Sequence, residues 1–575
     1  MNIKIFKFFL GVFLVTIFFS CYLFTSQKKI INYEEFLNMI NTRFNNTDDV
    51  INVFPKSVAD VEKRVELNIE NTKNKIDKII SLKKEERTFD NTARALDLAG
   101  MEFGIVAHGL EIFEMISPDE KMRNACHEAA LKLQQFAVDA FSTNVQLYKA
   151  VKEYFQQNSD KEQLTPEEKY FLTETIKDFE RNGLNLPEEK LNEVKKLKKE
   201  IAQLSLEFEA NIAKDKSQIL VDKSELEGLD DHFISNLKKE DDKFVLGCDY
   251  PTYFEVIQNC NVSDTRKKLS KIFSKRAYPE NSEILNKVIE KRNQLANILG
   301  FESYAALDLD DQMVKNPKKA NIFLTQLAEK AQKKELKEFE MLSKDLPKGI
   351  SLTKEGKFYP WDYAFIKEQY KKKNFNVDEN KIAEYFPVQK TIDGIFNIYQ
   401  KFLGLEFILR PLAASSSSAL GTQYDRGGSL LWHEDVKLVE IHDAKSKELL
   451  GYLFLDLYPR DNKYSHACMA DIVPSMWRKD EKTNEYKSVP SVIVVIANFP
   501  KATKDRPALL KHNDVETFFH EFGHAMHGLL GKTKIASFAG TSVKRDFVEM
   551  PSQMFEEWMW DKDMLKLVSS HYKTG

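Results

Sequence analysis

Residues 514–530 read DVETFFHEFGHAMHGLL, and three histidines and Glu521 interrupt the apolar part of this stretch. Asp514 is a suitable N-cap, and the residues from Val515 onward are predicted to continue as a helix. His520 and His524 lie four residues apart, so their imidazoles project from the same helix face, one turn apart. Two imidazoles at that spacing can ligate one zinc ion, and the adjacent Glu521 can take a proton from a metal-bound water. The stretch therefore predicts a metal site on a largely apolar helix.

The apolar surroundings of this motif favour a metal. The apolar neighbours on the helix are Phe518, Phe519, Phe522, Met526, Leu529 and Leu530. Burying two histidines and a glutamate among them without partners would cost several kcal/mol, and a bound metal removes that cost. Gly523 points the same way, because glycine inside a helix costs about 1 kcal/mol and so marks a close approach to the backbone. The alternative, two core histidines with hydrogen-bond partners, is the weaker interpretation.

A catalytic zinc needs a third protein ligand and one open position for water. His527 lies on the same straight helix, which cannot surround a tetrahedral ion, so we interpret it as a residue behind the ligands or along a channel. The stretch KRDFVEMPSQMFEEWMW predicts a second, antiparallel helix, in which Pro551 is tolerated only in the first turn or at a kink. The candidates for the third ligand are Asp546, Glu549, Glu556, Glu557 and His571. Glu549 is favoured because its apolar sequence neighbours would make an unpaired carboxylate expensive.

Composition limits the possible partners and the kind of metal site. The chain has 575 residues, 42% of them hydrophobic, which suffices for a large core and more than one domain. A net charge of −4 gives no reason to expect nucleic acid as a partner. The five cysteines are scattered and form no CxxC pair, so we expect neither a disulfide framework nor a thiolate metal site. Any metal must be held by histidine and carboxylate.

The pattern along the chain predicts a mainly α protein. From about residue 30 to 345 the periodicity is helical, and Val194, Leu197 and Ile201 begin one apolar seam that we expect to pack within a helical hairpin. After about residue 425 the stretches KLVEIHD, LLGYLFLDLYP and SVIVVIANF are short and rich in β-branched and aromatic residues. They predict a small sheet just ahead of the motif helix.

The N-terminal residues differ in composition from the rest of the chain. An uncharged run of 18 residues extends from Phe8 to Thr25, with lysines on both sides. We expect residues 1–27 to form a signal peptide or membrane anchor, and the protein to lie in the cell envelope rather than the cytoplasm. The segment FFSC, which ends at Cys21, resembles the lipobox of bacterial lipoproteins, so a lipid anchor on this cysteine is one form of that prediction.

Several stretches together carry a family resemblance. ETFFHEFGHAMHGLL, followed by GTSVKRDFVEMPSQMFEEW, resembles the thimet oligopeptidase/neurolysin family of zinc metallopeptidases, which includes bacterial oligopeptidase A and peptidyl-dipeptidase Dcp. The stretches LGFESYAAL, YFPVQKTIDGIFNIYQKFLGLEF and GYLFLDLYPRDNKYSHA agree, so the similarity extends from about residue 30 to the last residue. The resemblance implies that Glu549, 25 residues after His524, is the third zinc ligand.

The resemblance also implies a fold and an activity. The family fold is mainly α, with two lobes around a deep channel and one zinc ion at its floor. The implied division is an N-terminal helical domain over 28–230 and a catalytic domain over 231–575. The implied reaction is hydrolysis of short unfolded peptides by an oligopeptidase or peptidyl-dipeptidase, with Glu521 as general base. We expect a monomer.

The resemblance suggests two further roles near the zinc. Glu516, one turn before His520, is either the partner of that imidazole or a surface residue favoured by the helix dipole. The segment FAGTSV at 538–543 is a candidate for backbone contacts with the substrate.

One feature departs from the family. The chain continues for 51 residues after His524, whereas family members continue through several more helices that carry a histidine and tyrosines for substrate binding. We therefore expect a catalytic domain that is incomplete at its C-terminus. Two hypotheses remain: a zinc oligopeptidase, and a remnant of such an enzyme that binds zinc or peptides with little activity.

Overall fold

The structure, a computed structural model, describes residues 50–410, 431–480 and 483–575. Helices dominate these residues, which confirms the mainly α fold. The α-helices are α1 Val58–Ser81, α2 Ala95–Ile116, α3 Glu120–Ala137, α4 Val145–Gln157, α5 Pro166–Arg181, α6 Glu188–Lys214, α7 Asp231–Asn236, α8 Tyr250–Asn259, α9 Ser263–Phe273, α10 Glu280–Ile298, α11 Tyr304–Leu309, α12 Pro317–Lys344, α13 Pro360–Phe375, α14 Glu379–Ala383, α15 Val388–Leu403, α16 His512–Leu530, α17 Arg545–Glu556 and α18 Lys562–Val568.

Within the described ranges the strands form three sheets, and the largest sheet lies beside the motif helix. The strands are β1 Gln218–Val221, β2 Lys239–Glu240, β3 Lys243–Gly247, β4 Leu405–Arg410, β5 Lys437–Asp443, β6 Leu449–Asp456, β7 Cys468–Val473, β8 Met476–Lys479, β9 Tyr486–Val489 and β10 Ser491–Ile496. The five-stranded sheet has the order β4-β5-β6-β10-β7, so β7 is an edge strand. Strand β10 is parallel to β6 and antiparallel to β7. The predicted sheet is confirmed, and its three predicted strands are β5, β6 and β10.

Both faces of this sheet are buried, which explains why β10 is apolar at five of its six positions. Val492 and Val494 face a core that they share with helices α1, α2 and α3. Ile493 and Val495 face the opposite core, which contains residues of α15 and α16. The N-terminal helices and the motif helix therefore lie on opposite faces of one sheet.

The predicted domain boundary at 230/231 and the predicted helical hairpin both lie within the described residues. The division at 230/231 falls between β1 and β2, which belong to one three-stranded sheet; it stays a prediction. The apolar seam lies on α6 as expected, but it packs against the distant helix α10, where Val194 and Leu197 meet Leu295. The hairpin interpretation was wrong, because the seam is covered by a helix that is not its neighbour in sequence.

Helix α16 begins slightly earlier than the sequence suggested. The predicted N-cap, Asp514, is the third residue of the helix, and Lys511 occupies the cap position. The Asp514 carboxylate accepts the backbone N–H of Lys511 at 2.9 Å. Asp514 thus still satisfies a free donor at the helix start, but from inside the first turn.

Helix α17 is the predicted second helix, and Pro551 lies inside it rather than in its first turn. A short 3-10 helix, Glu557–Trp560, continues it.

The predicted signal peptide or anchor at 1–27 and the predicted lipid attachment at Cys21 lie outside the described residues. Within the described ranges, no helix combines the length and the apolar character needed to cross a membrane.

Candidate metal centre

Helices α16 and α17 bring three potential ligand atoms together. His520 Nε2 lies 3.2 Å from His524 Nε2 and 3.2 Å from Glu549 Oε2. His524 Nε2 lies 3.0 Å from the same Glu549 oxygen. Among the described residues, these three side chains are the group of histidine, cysteine and carboxylate ligands that could hold a metal ion. The two predicted histidines and the predicted third ligand therefore meet at one point.

The separations fit a tetrahedral zinc ion. Ligand atoms about 2.0–2.1 Å from zinc are separated by about 3.3 Å along the edges of a tetrahedron. The three separations here, 3.0 to 3.2 Å, are close to that value. Three protein ligands would leave the fourth position of a tetrahedral ion open, as a catalytic zinc site requires.

The histidine tautomers also fit a metal. His520 Nδ1 lies 2.8 Å from Glu556 Oε2, so this nitrogen donates its proton to the carboxylate. The Nε2 atom of His520 then presents a lone pair toward the other two ligand atoms. Burial lowers the pKa of His524, which favours the neutral ring that a metal requires. A bound cation would remove the repulsion between the nitrogen and oxygen lone pairs that converge at this point.

Contacts between the two helices set this geometry. His520 meets Glu556 and His524 meets Glu549, so the helices run antiparallel, as predicted. A Cβ atom on Gly523 would lie 2.9 Å from the Cα of Ser552, which confirms the close approach that the glycine indicated. Ser552 is fully buried, and its Oγ lies 3.1 Å from Glu549 Oε2. The glycine thus lets the second helix come near enough for its glutamates to reach both imidazoles.

Glu521 occupies a different environment from the ligands. Its side chain is buried, with 8% exposure, and its carboxylate accepts a hydrogen bond from the backbone N–H of Met469 on β7. Burial raises the pKa of Glu521 to about 7. The interactions of the carboxylate with His520 and with the Met469 N–H oppose that rise in pKa, and the negative charge of Glu549 adds to it. A carboxyl group with this pKa is suited to accept and return a proton near neutral pH.

The loop between α16 and α17 is anchored by two carboxylates. Asp97 on α2 accepts the backbone N–H groups of Ala536 and Ser537 at 2.7 and 2.9 Å. Asp471 on β7 accepts the Thr541 hydroxyl at 2.7 Å. The FAGTSV segment at 538–543 therefore lies between an N-terminal helix and the edge strand; its contact with substrate stays a prediction.

The other candidate residues have different partners. Asp546 accepts the backbone N–H groups of Met313 and Val314. His571 Nε2 lies 3.3 Å from Glu384 Oε2. Glu557 is exposed. None of these three belongs to the ligand group, and Glu556 contacts the Nδ1 atom of His520 on the side away from the ligand atoms.

Two predictions about neighbouring residues can be resolved. Glu516 is not the partner of His520, because Glu556 occupies that position and Glu516 lies 3.7 Å from His512 Nδ1 instead. His527 is not part of the ligand group, and within the described residues its buried Nδ1 has no hydrogen-bond partner. Burial lowers the pKa of His527.

Comparison with known proteins agrees with this site. The family described as "Peptidase family M3" matches residues 256–575, which is more than half of the chain and includes all three ligand candidates. The chain belongs to peptidase family M3. Family M3 contains metallopeptidases, so the protein is a member of a family that hydrolyses peptide bonds.

Similar proteins from three organisms support the assignment to family M3. A thimet-like oligopeptidase from Dictyostelium discoideum is 34% identical over 90% of this chain and 76% of its own length. Saccharolysin from Saccharomyces cerevisiae is 33% identical over 82% of this chain and 66% of its own. Oligopeptidase A from Escherichia coli is 28% identical over 85% of this chain and 70% of its own. The chain thus spans about two thirds to three quarters of the length of these relatives.

Sequence reasoning missed the partner of His520 and the Met469 contact in this M3 chain. Glu556 was considered only as a third ligand, although it lies seven residues after Glu549 and therefore on the same face of α17. That spacing is the signal that could have indicated its position beside the first histidine. The Met469 N–H has no signal in the sequence, because every residue type except proline carries one.

Proposed function

We propose that the protein hydrolyses peptide bonds in short oligopeptides with one bound zinc ion, as an oligopeptidase or peptidyl-dipeptidase. His520, His524 and Glu549 would hold the ion, and Glu521 would act as general base. The observation that carries this proposal is the convergence of three ligand atoms within 3.2 Å of one another, with His520 Nδ1 bonded to Glu556. The similarity to oligopeptidases supports short peptides as substrates.

Zinc at this position would polarise the scissile carbonyl and lower the pKa of a water molecule toward about 7. The Glu521 carboxylate accepts a proton from that water and returns it to the nitrogen of the leaving amine. Its hydrogen bond from Met469 directs the carboxylate toward the edge strand. The low exposure of Glu521 keeps bulk water from competing for that proton.

The edge strand offers a place for the substrate backbone. Strand β7 pairs with β10 on one side, and its other edge is free of strands within the described residues. An extended peptide can add to such an edge through backbone hydrogen bonds, which hold it without regard to its side chains. A peptide on β7 would pass beside Glu521. A deep channel, as the resemblance implies, would restrict this edge to short unfolded chains.

The test combines metal content with peptide hydrolysis. We expect the purified protein to bind one zinc ion and to cleave an internally quenched fluorescent peptide. Glu521→Gln should keep the zinc and lower the rate by about 10²- to 10⁴-fold, because the variant retains the shape of the side chain but cannot accept the proton. Glu516→Gln, one turn earlier, is the matched control and should retain the rate. A Glu521→Gln rate within a few fold of wild type would refute the role of this residue.

The same measurement separates the two hypotheses about this chain. Bound zinc without measurable hydrolysis by the wild type would favour a remnant that binds zinc or peptides. Bound zinc with hydrolysis, lost in Glu521→Gln, would favour the enzyme.

We also propose that the protein lies in the cell envelope, on the basis of the uncharged N-terminal run from Phe8 to Thr25. Incorporation of a labelled fatty acid into the wild type, and its loss in Cys21→Ser, would support a lipid anchor. Equal labelling of both would exclude Cys21 as the attachment point.

A further inference from the structure

An aromatic cluster surrounds one arginine near the start of the edge strand. The Arg276 guanidinium carbon lies 4.0 Å from the centroid of the Phe273 ring and 6.0 Å from that of Tyr250. The Tyr250 hydroxyl lies 2.9 Å from His466 Nε2, and the two rings are 4.3 Å apart. Tyr464 completes the cluster, with its ring centroid 5.4 Å from that of His466. We call these five residues the Arg276 cluster.

The guanidinium of Arg276 has unused hydrogen-bonding capacity. Its Nε donates to the Phe273 carbonyl at 3.1 Å. Among the described residues, no carboxylate lies within ion-pair distance of it. The nearby Asp215 carboxylate accepts the backbone N–H groups of Ser217 and Ala277 instead. Arginine carries five N–H donors in a planar fork, so both terminal nitrogens remain available for a planar anion.

A second arginine shows what a purely structural guanidinium looks like in this protein. Arg266 is fully buried and stacks on Phe365 at 4.1 Å, much as Arg276 stacks on Phe273. Unlike Arg276, it donates to the buried carboxylate of Asp362 through two nitrogens. Both arginines thus stack on a phenylalanine ring, but only Arg266 also has a carboxylate partner. Arg276 is partly exposed, as is its neighbour Tyr250, so a carboxylate from outside can reach it.

The chain path connects this cluster to the candidate active site. His466 precedes Met469 by three residues, and the Met469 N–H binds the Glu521 carboxylate. Three residues of chain span at most about 10 Å, and His466 lies at a bend two residues before β7 begins. An extended peptide has the same rise per residue, so a peptide that lies along β7 reaches the cluster about three residues from its reacting bond. Tyr464, within the cluster, also feels the charge of Glu521.

We infer that the Arg276 cluster binds a carboxylate of the peptide substrate, either the free C-terminus or an acidic side chain, about three residues from the bond that is cleaved. Arg276 supplies the charge and the paired donors, and the rings of Phe273 and Tyr250 hold the guanidinium plane in place. This inference rests on the proposed function and names the substrate class of the same site: short peptides that carry a carboxylate at this distance.

Binding and turnover of three matched fluorescent peptides test the inference. The peptides share one sequence and end in a free carboxylate, in an amide, or in an amide with glutamate as the last residue. Dissociation constants are measured on the zinc-loaded Glu521→Gln protein, and KM and kcat on the protein with Glu521. Because binding is measured separately, a lack of hydrolysis would count against the proposed function and leave the carboxylate site testable.

We expect Arg276→Gln to weaken binding of the carboxylate peptides by about tenfold to a hundredfold and to leave the amide peptide nearly unchanged. KM should rise for the same peptides with little change in kcat. Arg276→Lys keeps the charge and should lose less. Lys275→Gln is the matched control, because this neighbouring cation is exposed and should not affect the discrimination.

The three peptides distinguish the sources of the carboxylate. A loss confined to the free-acid peptide identifies the C-terminus, and a loss that includes the glutamate amide identifies any carboxylate; both support the site. Equal binding of all three peptides by the wild-type site, or an equal loss for all three in Arg276→Gln, would overturn the inference. Circular dichroism of each variant excludes a loss caused by unfolding.

Discussion

The two helices that form the candidate metal centre differ sharply in burial. Helix α16 carries ten buried residues, and Phe519, Phe522 and Ala525 have no exposed surface. Helix α17 has two buried residues, Ser552 and Phe555, while its Met550 and Met554 are about half exposed. The ligands follow the same contrast, because the side chain of His524 is 12% exposed and that of Glu549 is 52% exposed.

This difference indicates a division of labour. Helix α16 is fixed by the core on one face of the five-stranded sheet, so its two imidazoles have a defined position before any metal binds. Helix α17 reaches them through one contact face, where Ser552 and Phe555 pack on Gly523. The third ligand is therefore positioned by a few contacts on a surface helix, and substitutions at those contacts should change metal affinity in a graded way.

The largest effect on metal binding is expected for Glu549→Gln. The variant removes the charged oxygen that lies 3.0 Å from His524 Nε2. Zinc affinity, measured by competition with a chelator, should fall by more than about a hundredfold, beyond the loss typical of groups that only orient a ligand. Glu557→Gln, at an exposed glutamate just past the end of α17, is the control. If both variants bound zinc equally well, the surface helix would not supply a ligand.

Gly523→Ala tests the contact between the two helices. The added methyl group would lie 2.9 Å from the Ser552 backbone and 3.1 Å from the Phe555 ring, so the helices must separate. We expect the free energy of unfolding to fall by about 1–3 kcal/mol, measured by urea denaturation, together with weaker zinc binding. The matched control is Gly100→Ala in α2, where no atom apart from the nearby backbone of the same helix lies within 4 Å of the new methyl group. That variant should be neutral or stabilising by up to about 1 kcal/mol. Equal behaviour of the two variants would show that the helix contact is not close.

A somewhat smaller effect on zinc binding is expected for Glu556→Gln. The amide keeps the shape of the side chain but loses the charge that orients His520 through its Nδ1 proton. Zinc affinity should fall by about 10- to 100-fold, less than for Glu549→Gln. Glu557→Gln again serves as the control. A loss as large as that of Glu549→Gln would instead make Glu556 a direct ligand, and no loss at all would leave His520 without a functional partner on α17.

Much of the metal centre could be predicted from the sequence, because its key relation is local. Residues four apart on a helix share a face whatever the rest of the fold does, so the pairing of His520 with His524 needs no tertiary information. Gly523 likewise indicated a close approach before any partner was known. The small sheet ahead of the helix could also be predicted, since β5 and β10 contain β-branched residues and β6 contains leucines and aromatic residues in a short apolar run.

Contacts between residues of different helices or strands could not be predicted in the same way. Glu516 is close to His520 in sequence, whereas Glu556 is close to it in space. Glu556 is the hydrogen-bond partner of His520 only because α17 packs against α16 at this point. The start of α16 was misplaced because Asp514 caps from inside the first turn, a geometry with nearly the same sequence signature as an N-cap.

The sequence by itself determined a mainly α chain, a two-histidine metal motif on a buried helix, and a glutamate beside it. These features depend on the periods of 3.6 and 2 residues that backbone geometry imposes on any chain. Only the tertiary structure decided that Glu556 holds His520, that Met469 on the free edge of β7 reaches Glu521, and that Arg276 lies beside the start of that strand. Such contacts join residues far apart in the chain, and they depend on how helices and strands pack rather than on any local pattern.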